Sequence, residues 1–297
     1  MIDRLSILLP TYNCDCRQLV AALHEQCEDI DSLNYEIIVA DDGSSEQKYV
    51  DLNREIEKLN DVRYIIKTRN VGRSAIRNFL VDEARYEWIL FIDGDLSLRN
   101  PSFIRNYLST VCDVVVGGIR IGESKKRWGN NLRWKYEKSC EKKHSIENRR
   151  KNKYNEFRTT NFLIKKHILQ EIKFNEDIHQ YGYEDVLLGK QLNKRHIPIY
   201  HIDNPILLNE FEDNSIYIEK IEEAMNTLFE QREQLRGYSK LLDIVLSFNQ
   251  LQLKVINIVF NIVNNRIKHC LKGNKPLILE FNIYRLLYLS HIIYTKS

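Results

Sequence analysis

The chain has 297 residues, 43% of them hydrophobic and 29% charged, with a formal net charge of +3. That length exceeds one small domain and suits a substantial α/β domain with an appendage, and the near balance of charge gives no global pull toward nucleic acid. Six cysteines are scattered, and Cys14-x-Cys16 has no matching second pair, which argues against zinc and for reduced thiols in the cytoplasm.

Leu5-Ser6-Ile7-Leu8-Leu9 reads as a first strand, closed by the loop residues Pro10-Thr11-Tyr12-Asn13. The apolar run before Pro10 is too short for a signal-peptide core, so the chain is expected to stay cytoplasmic. Helical spacing follows through Leu19, Val20, Leu23 and Cys27. Tyr35 to Ala40 is a second strand, and it ends in Asp41-Asp42-Gly43-Ser44-Ser45. At least one residue from Asp42 to Ser45 is expected to cap the helix starting near Glu46, which leaves Asp41 the better ligand candidate. Val62 to Ile66 is strand three. Its loop, Arg69-Asn70-Val71-Gly72-Arg73, runs into a helix that places Arg73 and Arg77 one turn apart, near an N-terminus that favours anions.

Trp88 to Ile92 is a run of five apolar residues that stops at Asp93-Gly94-Asp95. A parallel strand buried on both faces reads this way, and in an open α/β sheet ligands lie just beyond the carboxyl ends of the strands. A chain of this length carries about one Asp-x-Asp by chance. Position gives this one its meaning: two hard oxygen donors at a strand end suit Mg²⁺ or Mn²⁺. The strand-helix alternation up to this point is the pattern of a mainly parallel sheet.

Asp113 to Gly118 is expected as a strand near the centre of the sheet. The tract Lys125 to Lys153 is crowded with Lys and Arg and holds Trp128, Trp134 and Tyr136. Without a nucleic-acid-binding motif, it reads as a mobile helical excursion over a cleft or a patch for anionic lipid or acceptor phosphate. Thr160 to Ile164 returns to the core. Tyr181-Gly182-Tyr183-Glu184-Asp185 then opens a helix, with both carboxylates in its first turn. His196 to His201 and Pro205 to Leu208 close the domain.

These residues resemble the inverting family 2 glycosyltransferases, whose catalytic domain has the GT-A fold, a Rossmann-like nucleotide-sugar-binding α/β architecture. The resemblance rests on Pro10-Thr11-Tyr12-Asn13, Asp41-Asp42-Gly43-Ser44, Arg69-Asn70-x-Gly72-Arg73 with Arg77-Asn78, Phe91-x-Asp93-Gly94-Asp95, and Tyr181-Gly182-Tyr183-Glu184-Asp185, five motifs in order. It implies that Pro10, Thr11, Tyr12, Asn13, Asp41, Arg69, Arg73, Arg77, Asp93 and Gly94 line the site of a nucleotide-sugar, with UDP the default nucleotide. It implies too that Asp93 and Asp95 hold Mg²⁺ or Mn²⁺, that Asp185 is the base on an acceptor hydroxyl, and that Glu184 orients the acceptor. Relatives with this YGYED form carry a histidine where this chain has Leu208, and His201 is the nearest substitute ligand in sequence. The acceptor would be a glycan or a lipid-linked glycan, and the product a bacterial-type surface polysaccharide. A catalytically inactive carbohydrate-binding or scaffolding protein on the same fold is the alternative. A nucleotidyltransferase or dehydrogenase is disfavoured because the first loop has no glycine.

The expected division is a GT-A catalytic domain over residues 1–215 and a helical extension over 216–297. Residues 216 to 236 read as an amphipathic helix packed on the catalytic domain. Leu241 to Val263 reads as one apolar helix with a polar stripe, and Leu277 to Tyr294 as another. Attachment to the membrane interface, at the inner face of the cell membrane, ranks ahead of a dimerising or self-packing pair.

Overall fold

A computed structural model describes residues 2–178 and 181–296. Nine strands occur among them: β1 (Arg4–Thr11), β2 (Asn34–Asp41), β3 (Val62–Ile66), β4 (Trp88–Ile92), β5 (Val114–Val116), β6 (Ile119–Ile121), β7 (Asn161–Lys165), β8 (Ile199–His201) and β9 (Ile206–Leu208). Seven form one sheet in the order β3-β2-β1-β4-β7-β5-β8, and β6 pairs with β9. The first four strands are mutually parallel, β7 runs antiparallel to β4 and β5, and β8 is parallel to β5. This is the mainly parallel α/β sheet that the strand-helix alternation predicts. Ile7, Leu8, Leu9, Ile37, Ile38, Val39 and Ile89 to Ile92 have no exposed surface, as strands covered on both faces require.

Register places the functional loops. Thr11 lies opposite Asp41, and Asp41 opposite Ile66, so β1, β2 and β3 end level with one another. β4 is offset so that Gly94 N–H bonds Pro10 O (3.2 Å) and Asp93 N–H bonds Thr160 O (3.2 Å). The Asp-Gly-Asp corner is therefore pinned between the first loop and the start of β7. The strand at 114–116 is not central as expected: it is three residues long and next to the sheet edge. The centre goes to β1, β4 and β7, whose longer runs make more ladder bonds.

The chain divides into two compact units, Met1–Gly122 with Lys143–His179 and Glu184–Glu210, and Glu123–Lys142 with Gln180–Tyr183 and Phe211–Ser297. A single cut after 215 thus gives way to an interleaved division. In the second unit Leu132, Tyr217, Ile218, Phe260, Leu271, Phe281 and Tyr284 share one apolar core. The helix Asn214–Glu230 supplies Tyr217 and Ile218 to this core. The apolar run from 241 is also two helices, Lys240–Leu246 and Gln250–Lys272, bent by 114°. Asn249 starts the second with a capping box to Gln252, two reciprocal side-chain bonds that satisfy N–H groups at the helix start.

Candidate active site

Three loops are laced together beyond the strand ends. Asn13 N–H bonds Ser44 Oγ (2.8 Å), Asn13 Nδ2 bonds Ser45 Oγ (2.9 Å), and Asn13 Oδ1 accepts from Glu46 N–H (3.0 Å). Asp41 accepts from Ser44 N–H (2.7 Å) and from Tyr64 Oη (2.7 Å). Asp42 accepts from Val71 N–H (2.8 Å) and Gly72 N–H (3.0 Å). Gly43 sits at φ +69°, where a Cβ would stand 2.4 Å from the backbone carbon of Arg69; only glycine lets the second and third loops meet so closely.

Two expectations change here. The helix Gln47–Asn53 has no side-chain cap; Asp42, Ser44 and Ser45 join loops instead. Asp41 is fully buried, with both oxygens engaged, so it shapes the floor and does not present a carboxylate. Tyr12 is 45% exposed and Arg69 is exposed, while Thr11 is buried with its hydroxyl on Cys14 Sγ (2.9 Å). Pro10 and Gly94 contribute backbone contacts at the corner.

The Asp-Gly-Asp corner has two unlike carboxylates. Asp93 Oδ1 takes a 2.6 Å bond from Arg77 Nη2. Burial raises the Asp93 pKa, Arg77 and Arg73 oppose that, and Asp95 adds to it. Asp95 is exposed, and no hydrogen bond or ion pair engages it among the described residues. A divalent cation fits this pair: it would relieve the repulsion between the two carboxylates. No group of three or more His, Cys, Asp or Glu that could hold a metal ion occurs among the described residues, so water and substrate phosphate would complete the shell, the arrangement Mg²⁺ prefers.

His201 is not a third ligand, and this corrects the sequence expectation. It is buried (1% exposed), its Nε2 faces Lys153 O (2.9 Å) and its Nδ1 faces Arg149 Nη1 (3.3 Å). A carbonyl can only accept, so Nε2 carries the proton and Nδ1 accepts from the guanidinium. Burial lowers its pKa to about 4. Leu208 is buried in the β6–β9 pair.

Arg77 is the second correction. Instead of facing a nucleotide it is 2% exposed, bonded to Asp93, and 3.7 Å from Glu184 Oε1. Arg73 Nη1 meets the same oxygen at 3.4 Å. Burial works against ionised Glu184, yet Arg73 and Arg77 prevail and hold its pKa below the usual value. The neighbouring Asp185 is partly buried and accepts from Val186 N–H (2.7 Å). Burial and the charge of Glu184 raise its pKa to about 6, against the pull of Arg158 and Arg77. One carboxylate is thereby fixed as an anion and the other poised to exchange a proton, the division of labour that acid-base chemistry uses.

The tract 125–153, read as a mobile helical excursion, is helical over Lys125–Trp128, Leu132–Cys140 and Ile146–Lys151. Arg149 is buried there and holds the carbonyls of Val116, Gly117 and Ile202. Beside it a narrow cavity is lined by Gly118, His144, Arg158 and Asn161 among others. Arg158 bonds His144 (2.9 Å), and Asn161 ties Tyr107, Gly118 and Asn204 together. These residues lack a local signature in the sequence; only the basic density of the tract hinted at Arg149.

Residues 6–173, more than half of the chain, match the family model for glycosyl transferase family 2. The chain belongs to that family. Among family relatives, a chondroitin synthase of Escherichia coli is 34% identical over 110 residues, covering 36% of this chain and 16% of the relative. An uncharacterized glycosyltransferase of Haemophilus influenzae is 31% identical over 99 residues, covering 32% and 38%. The chain thus spans well under half the length of these curated relatives. In fold it is similar to the mannosyltransferase PcManGT of Pyrobaculum calidifontis, solved with GDP-Man and Mn²⁺ (TM-score 0.59, 10% identity, covering 99% of this chain and 87% of that one). S. aureus TarS 1-349 with UDP-GlcNAc is a second such structure (TM-score 0.55, 14% identity, 99% and 92%). The GT-A fold expected of the sequence is the fold observed.

Proposed function

We propose that this protein is an inverting glycosyltransferase that moves a sugar from a nucleotide-sugar, UDP-linked by preference, to a hydroxyl of a glycan or lipid-linked acceptor. The observation that carries the reading is the unbroken run of charges Asp95, Asp93, Arg77, Glu184 and Asp185, which joins a cation-binding corner to a poised proton acceptor.

In this mechanism Asp185 takes the proton of the acceptor hydroxyl as its oxygen attacks the anomeric carbon. The bond from that carbon to the donor phosphate oxygen breaks, and the nucleoside diphosphate departs with the electron pair. One displacement through an oxocarbenium-like state inverts the anomeric centre. Glu184, held ionised by Arg73 and Arg77, keeps the first turn of its helix in place and orients the acceptor. Asp93 and Asp95 would hold Mg²⁺ or Mn²⁺, which when bound supplies Lewis-acid neutralisation of the leaving diphosphate. The solved complexes with GDP-Man, Mn²⁺ and UDP-GlcNAc support the donor and metal assignments. A lipid-linked acceptor would bring the enzyme to the cytoplasmic face of a membrane.

The test is Asp185→Asn. It should bind UDP-sugars in a calorimeter as wild type does, while turnover falls by about two to four powers of ten. Equal turnover in mutant and wild type removes Asp185 as the base.

A further inference from the structure

The helix Gln250–Lys272 is apolar on two opposite sides, and its own unit covers one of them. Leu253, Phe260 and Leu271 are buried. Opposite them Leu251, Val255, Ile258 and Ile262, which fall on one helical face, are 71, 52, 52 and 74% exposed. Contiguous apolar surface of this kind marks an interaction site.

The segment that carries the stripe has charge of one sign. From Ile244 to Leu279 there is no Asp or Glu, but there are Lys254, Arg266, Lys268, Lys272 and Lys275. Lys268 and Lys272 are spent on Glu222 and Glu219. Lys254, Arg266 and Lys275 are exposed and in no ion pair among the described residues. Lys254 flanks the stripe on one side and Arg266 on the other.

We propose that this stripe docks on a bilayer containing anionic lipid, with the helix lying in the interface. Its apolar side chains would enter the acyl boundary while Lys254 and Arg266 extend their stems along it and place their charges among the headgroups. A spanning role is disfavoured: among the described residues no single helix is long and apolar enough to cross a membrane, and the pair that reaches the length together is bent by 114°. A second copy fits poorly as well. Two-fold contact sets a patch against itself, which would bring Lys254 and Arg266 of both copies to a contact that offers no carboxylate from this segment.

The experiment is sedimentation of the full chain with vesicles of phosphatidylcholine and phosphatidylglycerol in equal parts, against phosphatidylcholine alone. Binding should favour the mixed vesicles and weaken with salt. Lys254→Gln and Arg266→Gln should each cost roughly fivefold in partitioning, and Ile258→Asp with Ile262→Asp should abolish binding at an unchanged melting temperature. Absence of wild-type binding to mixed vesicles, or equal binding by the double variant, overturns the proposal. So does a solution dimer that the double variant splits without any vesicle binding, and so does a loss of fold in that variant, which would make the stripe a packing surface.

Discussion

Arg77 reaches Asp93 at 2.6 Å with one nitrogen of its guanidinium, and the other stands 3.7 Å from Glu184. One buried side chain therefore spans two carboxylates that the sequence separates widely, one at the end of β4 and the other at the start of the helix Glu184–Lys194. A planar, permanently charged fork suits that span, and an ammonium on a flexible stem does not.

Removing the fork should be costly. Arg77→Met leaves Glu184 and Asp93 without their shared counter-charge, and breaking a buried pair this way costs about 3–5 kcal/mol. Urea denaturation should show that loss, with Arg77→Lys falling between Met and wild type. An Arg77→Met protein as stable as wild type would mean that the span contributes nothing to the fold.

The raised pKa of Asp185 sets the acid limb of the rate profile. A base must be deprotonated to act, so kcat should fall as pH drops through about 6. Two variants should move that limb in opposite directions. Arg158→Gln removes a cation that favours the anion and should shift it upward. Glu184→Gln removes a like charge and should shift it downward. Profiles measured on the two variants check both signs.

Asp95 carries the metal prediction with little structural burden, because its carboxylate is exposed and unengaged among the described residues. Asp95→Asn should melt as wild type does without ligand, yet lose the extra stabilisation that Mn²⁺ confers in the presence of UDP. Chelation of wild type should abolish turnover. A full Mn²⁺-dependent shift in the variant would take Asp95 out of the ligand set.

His201 predicts a dependence of stability on pH. Its pKa is about 4 in the fold against an ordinary 6.5. Between those values the unfolded chain binds the extra proton, so stability rises with pH there and is lost as pH falls from 6.5 toward 4. The full span corresponds to roughly 3 kcal/mol. His201→Gln, which cannot charge, should flatten that part of the curve in denaturation series run at several pH values.

What could be read in advance was whatever the chain encodes locally. The apolar run ending in Asp93-Gly94-Asp95 and the helix opening at Glu184-Asp185 are contiguous signals, and both lie where expected. Arg77 and His201 were misplaced because their roles depend on partners far off in sequence: Glu184 for the first, Arg149 and Lys153 for the second. No periodicity announces which of two arginines on a helix face will be buried. The break between Leu246 and Gln250 carries a helix-start pattern in Asn249-x-x-Gln252, but the apolar run on either side of it conceals that signal.

The lacing of the loops around Asn13, Asp42 and Gly43 has a consequence for how selectivity changes between relatives. Its ties are all made within the protein, so an incoming donor would meet a preorganised surface and lose little extra freedom in settling there. A new sugar preference gains nothing by reshaping it, because each tie holds two segments at once. Diversification is cheaper in parts of the chain that no such weave constrains.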